Sequence, residues 1–258
     1  MKFYIIYKFV WRLIINRFLI KKITMQIKKI ITLFVLCFIT LFSVKAQNIR
    51  NKQFTLFSYN LSVSKDFAQE ISSLQPFIET IKTYNDPGNE KLKAVLIHII
   101  YYTLKDNLEE ELEVEILPIN TFMRNVKYDD YGYPDANIRE ALRKGDSKFY
   151  FKVDAELNTL TEDMRDDNPD MFADLDYPVT YPELTIDITV YNNEGIIPAD
   201  KWTGATTPKY PLAINNYLLK GFDNTEMEIL PAEKQQTDNL YLMLDRAIHN
   251  TIQDFYNN

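Results

Sequence analysis

Two stretches that alternate apolar and polar side chains constrain the fold of this chain most. In residues 149–157 every odd position is apolar, and Lys152, Asp154 and Glu156 lie between them. Residues 184–191 repeat the pattern, with the apolar side chains at even positions. Side chains alternate between the two faces of a sheet, so each stretch predicts a strand with one buried and one solvated face. Such strands are typical of antiparallel sheets.

Turn signals add further strands. Residues 192–195, Asn-Asn-Glu-Gly, predict a hairpin turn into a third strand at 196–202. Pro198 lacks an N–H donor and so places that strand at a sheet edge. Two more strands are predicted. Residues 54–63 are rich in aromatic and branched side chains, and residues 112–116 alternate apolar side chains with glutamates.

Apolar residues three and four positions apart predict the helices. They span about 66–81 with a bend at Pro76, 92–111, 138–145, and a final segment that starts near Thr237 or Asp238. The stripe of the final helix is Leu240, Leu244, Ala247, Ile248, Thr251 and Phe255. We therefore expect a single α+β domain: an antiparallel or mixed sheet of four to six strands with helices packed mainly on one face.

The amino-terminal region has the pattern of a secretory signal. Residues 25–46 have two lysines near their start, Lys28 and Lys29, then an apolar run and a small-residue ending, so we expect cleavage between Ala46 and Gln47. Five basic residues interrupt the apolar segment 1–24, which argues against a stable transmembrane helix there. We interpret Met25 as the functional start and 1–24 as upstream sequence or an extended leader; the alternative is an uncleaved membrane anchor. Because Leu36 is not small, lipid attachment at Cys37 is not expected.

The expected mature domain, residues 47–258, has an unusual composition. Removal of the leader takes away nine of the 29 basic residues and none of the 36 acidic ones, which leaves a formal net charge of −16. A field of that sign repels phosphate backbones, so no nucleic-acid partner is expected. The leader also holds the single cysteine. Disulfides, thiol nucleophiles and cysteine-ligated metal centres are therefore excluded from the mature chain. Its six glycines are too scattered to form a phosphate-binding loop.

Exposed aromatic residues are the first candidate for a binding surface. Tyrosine offers a large contact area at low entropic cost and is enriched at protein interfaces. The candidates on predicted loops and wet strand faces are Tyr128, Tyr131, Tyr133, Tyr177, Tyr181, Tyr191 and Trp202. A protein partner is expected to bind there, and a glycan is the alternative.

An acidic loop is predicted at 158–182. Loops of this length are uncommon inside a compact domain and are usually functional or mobile. Calcium takes about six to eight oxygen ligands, so we consider a calcium site at Asp163, Asp166, Asp167 and Asp170. The spacing differs from that of a known calcium loop and the stretch has no glycine, so a solvated loop without a cofactor is the default interpretation.

Catalytic interpretations rest on few residues. Asp154, Glu156 and Asp187 are paired-carboxylate candidates for a small hydrolase. His98 and His249 are the only histidines, and both are expected at the surface or boundary of helices rather than in a catalytic pair.

The predicted order of strands and helices over about 112–256 is similar to that of a known group of small domains. A strand beginning at Phe149, a hairpin closed by residues 192–195 and a terminal helix resemble the small α/β domains of envelope proteins, namely the amino-terminal domain of the Tol–Pal translocation protein and the curli secretion-channel subunit. The acidic insertion departs from that arrangement. The resemblance implies a domain that binds proteins or assembles without catalysis. We therefore expect an exported, non-catalytic protein of the bacterial envelope, periplasmic or extracellular, with no stable transmembrane anchor after cleavage; a calcium- or glycan-binding module and a hydrolase are the alternatives.

Overall fold

A mixed five-stranded sheet, in the order β2-β1-β3-β5-β6, organises the protein. The computed structural model describes residues 49–83, 90–159, 177–222 and 238–257. β1 is parallel to β2 and β3, whereas β5 is antiparallel to β3 and β6. The strands of this sheet are β1 (Gln53–Val63), β2 (Glu115–Ile116), β3 (Phe149–Thr159), β5 (Pro182–Asn192) and β6 (Asp200–Thr206). A small second sheet pairs β4 (Val179–Thr180) with β7 (Leu212–Ala213).

The helices lie mainly on one face of the larger sheet. They are α1 (Lys65–Glu70), α2 (Gln75–Ile78), α3 (Lys91–Leu112), α4 (Ile138–Lys144) and α5 (Leu240–Asn257). Leu108 of α3 borders the same small void as Phe151 of β3 and Ile188 of β5. Helix α4 packs on the opposite face, where Ala141 joins a buried cluster with Tyr150. All these elements belong to the compact unit Arg50–Asn258. The predicted α+β class with a mixed sheet is confirmed.

The alternation predicted for β3 and β5 is present in the sheet. Val153 pairs with Ile188, and both side chains are fully buried beneath the helices. The even positions of β3 and the odd positions of β5 face the other way, where much of the surface is open to solvent. The stripe predicted for α5 is also correct, because all six of its residues are buried.

Helix α5 closes the outer edge of β6. Asp254 Oδ2 accepts a hydrogen bond from the backbone N–H of Thr203 at 2.9 Å, and Asn250 Nδ2 donates one to the Ala205 carbonyl at 2.9 Å. Between them, Gly204 lets the helix approach closely, because a Cβ there would meet the backbone of Ala247 within 3.0 Å. Two helical side chains therefore satisfy backbone groups that an edge strand otherwise leaves open.

Three predicted boundaries differ from the structure. The strand after the hairpin is the expected edge strand, but it spans 200–206 rather than 196–202, because Ile196 and Ile197 lie in the exposed turn. The helix expected over 66–81 is divided into α1, a 3₁₀ turn and α2, since Pro76 lacks the N–H that would continue the ladder. β2 is shorter than the predicted strand 112–116 because α3 continues to Leu112.

In the part of the chain that the structure describes, no helix has both the length and the apolar character needed to cross a bilayer.

Candidate functional site

A cleft lined by aromatic residues lies between α3, the residues that follow β2, and the loop 128–136, which we call the tyrosine loop. Its volume is about 250 Å³. The lining residues are His98, Tyr101, Tyr102, Lys105, Pro118, Ile119, Asn120, Tyr131, Gly132 and Tyr133. We call it the tyrosine cleft. A cavity of about 480 Å³ beside β1 includes Glu90, next to the undescribed residues 84–89, and we assign no site there.

Helix α3 supplies one wall of the tyrosine cleft. Positions 98, 102 and 105 follow each other at four and three residues, so the helix presents their side chains on one stripe. The rings of His98 and Tyr102 are in contact, with centroids 4.6 Å apart. Burial lowers the pKa of His98, which favours a neutral imidazole in the wall. Lys105 Nζ is held 2.5 Å from Glu109 Oε2, one turn further along.

Asp129 organises the opposite wall. Its Oδ1 accepts hydrogen bonds from the backbone N–H groups of Tyr131 at 3.0 Å and Tyr133 at 2.8 Å. Gly132 supplies the left-handed backbone of the turn, with φ of 89°. Partial burial raises the pKa of Asp129, although the backbone N–H donors oppose that shift. The N–H of Ala136 donates to the Phe57 carbonyl at 3.0 Å, which attaches the tyrosine loop to β1.

Three tyrosines form a packed cluster beneath the cleft. The ring of Tyr133 lies 4.9 Å from that of Tyr59 and 5.2 Å from that of Tyr101, both in edge-to-face contact. Tyr59 Oη donates to the Ile97 carbonyl at 3.0 Å. Among the residues that the structure describes, the hydroxyl of Tyr133 has no hydrogen-bond partner, although that residue is only 2% exposed. Burial, together with the neighbouring phenols, raises the pKa of Tyr133 far above its usual value, so the group stays a protonated donor.

Replacing Tyr133 by phenylalanine is expected to raise the free energy of unfolding by about 1 kcal/mol, because it removes a desolvated hydroxyl without a partner and keeps the ring contacts. Urea denaturation measures the change. Tyr59→Phe is the matched control, since it removes a hydroxyl that does donate, and a loss of about 1 kcal/mol is expected there. Equal losses in both variants would contradict the unpaired state of the Tyr133 hydroxyl.

The structure brings three of the predicted tyrosines together and separates the rest. Tyr128, Tyr131 and Tyr133 share the tyrosine loop; Tyr131 bonds Glu90 through its hydroxyl and lies beneath Lys93 Nζ. Tyr191 packs against Phe57 on the other face of the sheet. Tyr177 and Tyr181 precede β5; ten residues of strand put Tyr181 about 33 Å from Tyr191. The seven candidates therefore do not form one continuous surface.

Two of those candidates are buried, and the prediction that they are exposed is wrong. Trp202 is 2% exposed because it lies inside β6 and faces α5, with its ring 5.0 Å from Phe255. The error follows from the misplaced strand boundary, which put Trp202 at the strand end. Tyr133 is buried because the tyrosine loop packs on α3 rather than extending into solvent.

The other predicted sites give a mixed outcome. Asp163, Asp166, Asp167 and Asp170 lie outside the described residues, as do Ala46 and Gln47. No group of three metal-ligating side chains occurs within the described ranges. His249 is on the solvated face of α5, as expected, and its Nδ1 lies 3.9 Å from Oε1 of Glu111.

The paired carboxylates lie on the open face of the sheet. Asp154 and Asp187 are cross-strand neighbours, and each has a lysine partner: Lys152 at 2.6 Å and Lys201 at 2.9 Å. Partial burial raises the pKa of Asp187, but hydrogen bonds from Thr203 and Lys201, with the charges of Lys201 and Lys152, outweigh it and lower that pKa overall. A glycosidase acid needs a raised pKa. Asp187 therefore lacks the raised pKa that such an acid needs.

Sequence reasoning missed the α3 side of the tyrosine cleft. It assigned His98 to the surface or to the boundary between surface and core, and it did not single out Tyr101, Tyr102, Lys105 or Asn120. The sequence does contain a pattern that indicates this wall. Positions 98, 101, 102 and 105 are three or four residues apart, so they place polar aromatic and basic side chains on one stripe of the helix, beside its apolar stripe.

Comparison with known proteins adds little. No family model and no curated protein matches the chain. Among solved structures it is similar to the hypothetical protein CT253 from Chlamydia trachomatis, with 6% sequence identity and a TM-score of 0.40, over 80% of this chain and 96% of that one. A likeness at this level supports no inference about the site, and the resemblance to the two envelope domains stays a prediction.

Proposed function

We propose that the protein is exported and non-catalytic, and that it acts in the bacterial envelope or outside the cell by binding a partner protein at the tyrosine cleft. The observation that carries the proposal is the cleft itself, a preformed concave surface with tyrosine on both walls. Tyrosine is over-represented among the residues that dominate interface energetics.

Accessibility supports this role for the cleft. Tyr102 is 40% exposed, so its ring is open to a partner although it also rests on His98 and Tyr101. The opposite wall is held by the hydrogen bonds of Asp129 to the tyrosine loop. A wall fixed before binding loses little conformational entropy in the complex.

The chemistry of the lining favours a protein partner over a glycan. A sugar presents many hydroxyl donors, which need acceptors in the site. No carboxylate lines the cleft among the described residues, and two of its polar side chains are already engaged: the Tyr131 hydroxyl with Glu90, and Lys105 with Glu109. A glycan remains the second candidate, because tyrosine rings also stack on sugars. The proposed export rests on the leader pattern alone.

Photo-crosslinking tests the contact. A photoreactive benzophenone amino acid replaces Tyr102 in the full chain, expressed in the cells that naturally make it, and we expect one discrete crosslinked product. The control carries the same group at Tyr210, which is 60% exposed and lies outside the cleft. Tyr102→Ala is expected to weaken partner binding about tenfold, the usual cost of truncating an interface tyrosine.

Mass spectrometry of the same samples reads the amino terminus, which is expected to be Gln47. Equal capture at positions 102 and 210, or no capture at either, would contradict the contact. A peptide from residues 1–20 in the recovered protein would contradict cleavage of the leader.

A further inference from the structure

We infer that Glu90 is a positioning residue of the tyrosine cleft: together with Lys93 it holds the ring of Tyr131 in the wall that the partner contacts. The start of helix α3 therefore serves binding, at the expense of the helix itself. Glu90 has this role only if a partner occupies the cleft, so the inference rests on the proposed function. It adds two residues that do not line the cleft themselves.

Two contacts join Tyr131 to the start of α3. The hydroxyl of Tyr131 donates a hydrogen bond to Oε2 of Glu90. Nζ of Lys93 lies 5.3 Å from the centre of the Tyr131 ring, where the negative face of the ring attracts a cation. Burial and the hydrogen bond to Glu90 raise the pKa of Tyr131 far above its usual value, so the phenol stays a protonated donor. The side chain is thus held both at its hydroxyl and over its ring.

Glu90 does not cap the helix that it precedes. It occupies the residue before the first turn of α3, where Ser, Thr, Asp or Asn usually accepts a hydrogen bond from the helix backbone, and its side chain makes no such bond. Three other helices do begin with a capping side chain, supplied by Ser64, Asn137 and Asn239. At α3 the side chain in the cap position bonds Tyr131 instead.

Lys93 also departs from the usual start of a helix. The amino end of a helix carries a partial positive charge, which favours acidic residues there and disfavours lysines. The first turn of α3 has no acidic residue, and the helix begins with Lys91-Leu92-Lys93. Departures from the local rules are expected where residues serve a functional site. Two of the departures here, at Glu90 and Lys93, lead to the same tyrosine.

Tyr131 needs this support more than the next tyrosine of the wall does. Tyr133 is buried and packs on the ring of Tyr101, whereas Tyr131 is only partly buried. Without Glu90 the ring of Tyr131 would be free to turn into solvent, and a partner would have to order it on binding. Ordering one such side chain weakens binding by about fivefold.

Photo-crosslinking from position 102 tests the role of Glu90. The chains carry the benzophenone group at that position and one further substitution each. Glu90→Asn has a side chain that is one methylene shorter and suits the cap position. We expect it to reduce the crosslinked product about fivefold, while the urea midpoint of the purified full chain is no lower than that of the parent. Glu90→Gln keeps an oxygen that can accept from the phenol, so it is expected to retain most of the product.

The two lysines provide a matched pair. Lys93→Met removes the cation over the Tyr131 ring and is expected to reduce the product about twofold. Lys91→Met is the control, because Nζ of Lys91 donates to Oγ1 of Thr83 at 3.1 Å and does not contact Tyr131. It is expected to leave the product unchanged.

A double-mutant cycle completes the test. Tyr131→Phe removes the same hydrogen bond from the other side, so Glu90→Asn is expected to cause no further loss in that background. Four results would each overturn the role of Glu90 and leave the contact at Tyr102 standing: additive losses, full product in Glu90→Asn, equal losses in Glu90→Asn and Glu90→Gln, or a lower urea midpoint in Glu90→Asn. If the chain with Glu90 intact gives no product, the proposed function fails, and the role of Glu90 fails with it.

Discussion

Replacing Gly204 by alanine is expected to lower the free energy of unfolding by about 3 kcal/mol or more. The added Cβ would lie within 3.0 Å of the Ala247 carbonyl oxygen and of the backbone nitrogen and hydroxyl of Thr251. These neighbours are mainly backbone atoms of α5, so no side-chain rotation relieves the overlap. The helix has to move away from β6, which would also lengthen the hydrogen bonds from Asp254 and Asn250.

Urea denaturation of Gly204→Ala and Gly195→Ala provides the comparison. Gly195 lies in the β5–β6 turn, and a Cβ there would meet no atom within 4 Å. Alanine at that position is expected to change stability by less than about 1 kcal/mol. Equal effects at the two glycines would mean that α5 does not pack on β6 as the structure has it.

The second large effect is expected at Asn239, whose replacement by alanine should cost about 3 kcal/mol. Asn239 caps α5: its Oδ1 accepts from the N–H of Leu242 at 2.9 Å. Its Nδ2 donates to the carbonyls of Tyr217 at 3.3 Å and Lys220 at 3.4 Å. The residue is fully buried, so water cannot replace these bonds after truncation.

Asn137→Ala is the matched control, because Asn137 caps α4 in the same way but is exposed to solvent. The loss of a cap alone costs about 1 kcal/mol. Thermal or chemical unfolding of both variants should therefore separate them by about 2 kcal/mol. A loss at Asn239 no larger than that at Asn137 would show that the two amide bonds contribute nothing.

Local sequence patterns correctly predicted the helices and strands that bury one regularly spaced set of side chains. The stripe of α5 from Leu240 to Phe255 and the alternation of β3 are examples, since each element buries one regular set of side chains. For α3 the same reasoning was less successful. The buried residues of α3 include Ala94, Val95, Leu96 and Ile97, four consecutive positions that no single stripe contains. That helix is buried on several sides, so its pattern is weak.

The pairing of the strands could not be predicted. β1 lies in the interior of the sheet, parallel to β3 over most of its length, although more than 80 residues separate their paired positions. Nothing local in residues 53–63 specifies so distant a neighbour. The tyrosine cleft depends on this pairing, because it is Tyr59 of β1 on which Tyr101 and Tyr133 meet.

The candidate site was also predictable only in part, because residue type can be read from the sequence but tertiary packing cannot. Composition directed attention to the tyrosines, and Tyr131 and Tyr133 do line a cavity. Which tyrosines share a surface depends on tertiary packing, and so does the contribution of His98. Trp202 was misassigned because the strand continues to Thr206, which places Trp202 within β6 and against α5.

The attachment of α5 to β6 also bears on how the protein avoids self-association. A strand at the border of a sheet is a template on which another chain can add. Here the last turns of the chain occupy that position through Asp254 and Asn250. Because this helix also supplies buried core side chains, its detachment is expected to expose the core and the edge of β6 together, which makes self-association a risk that accompanies unfolding.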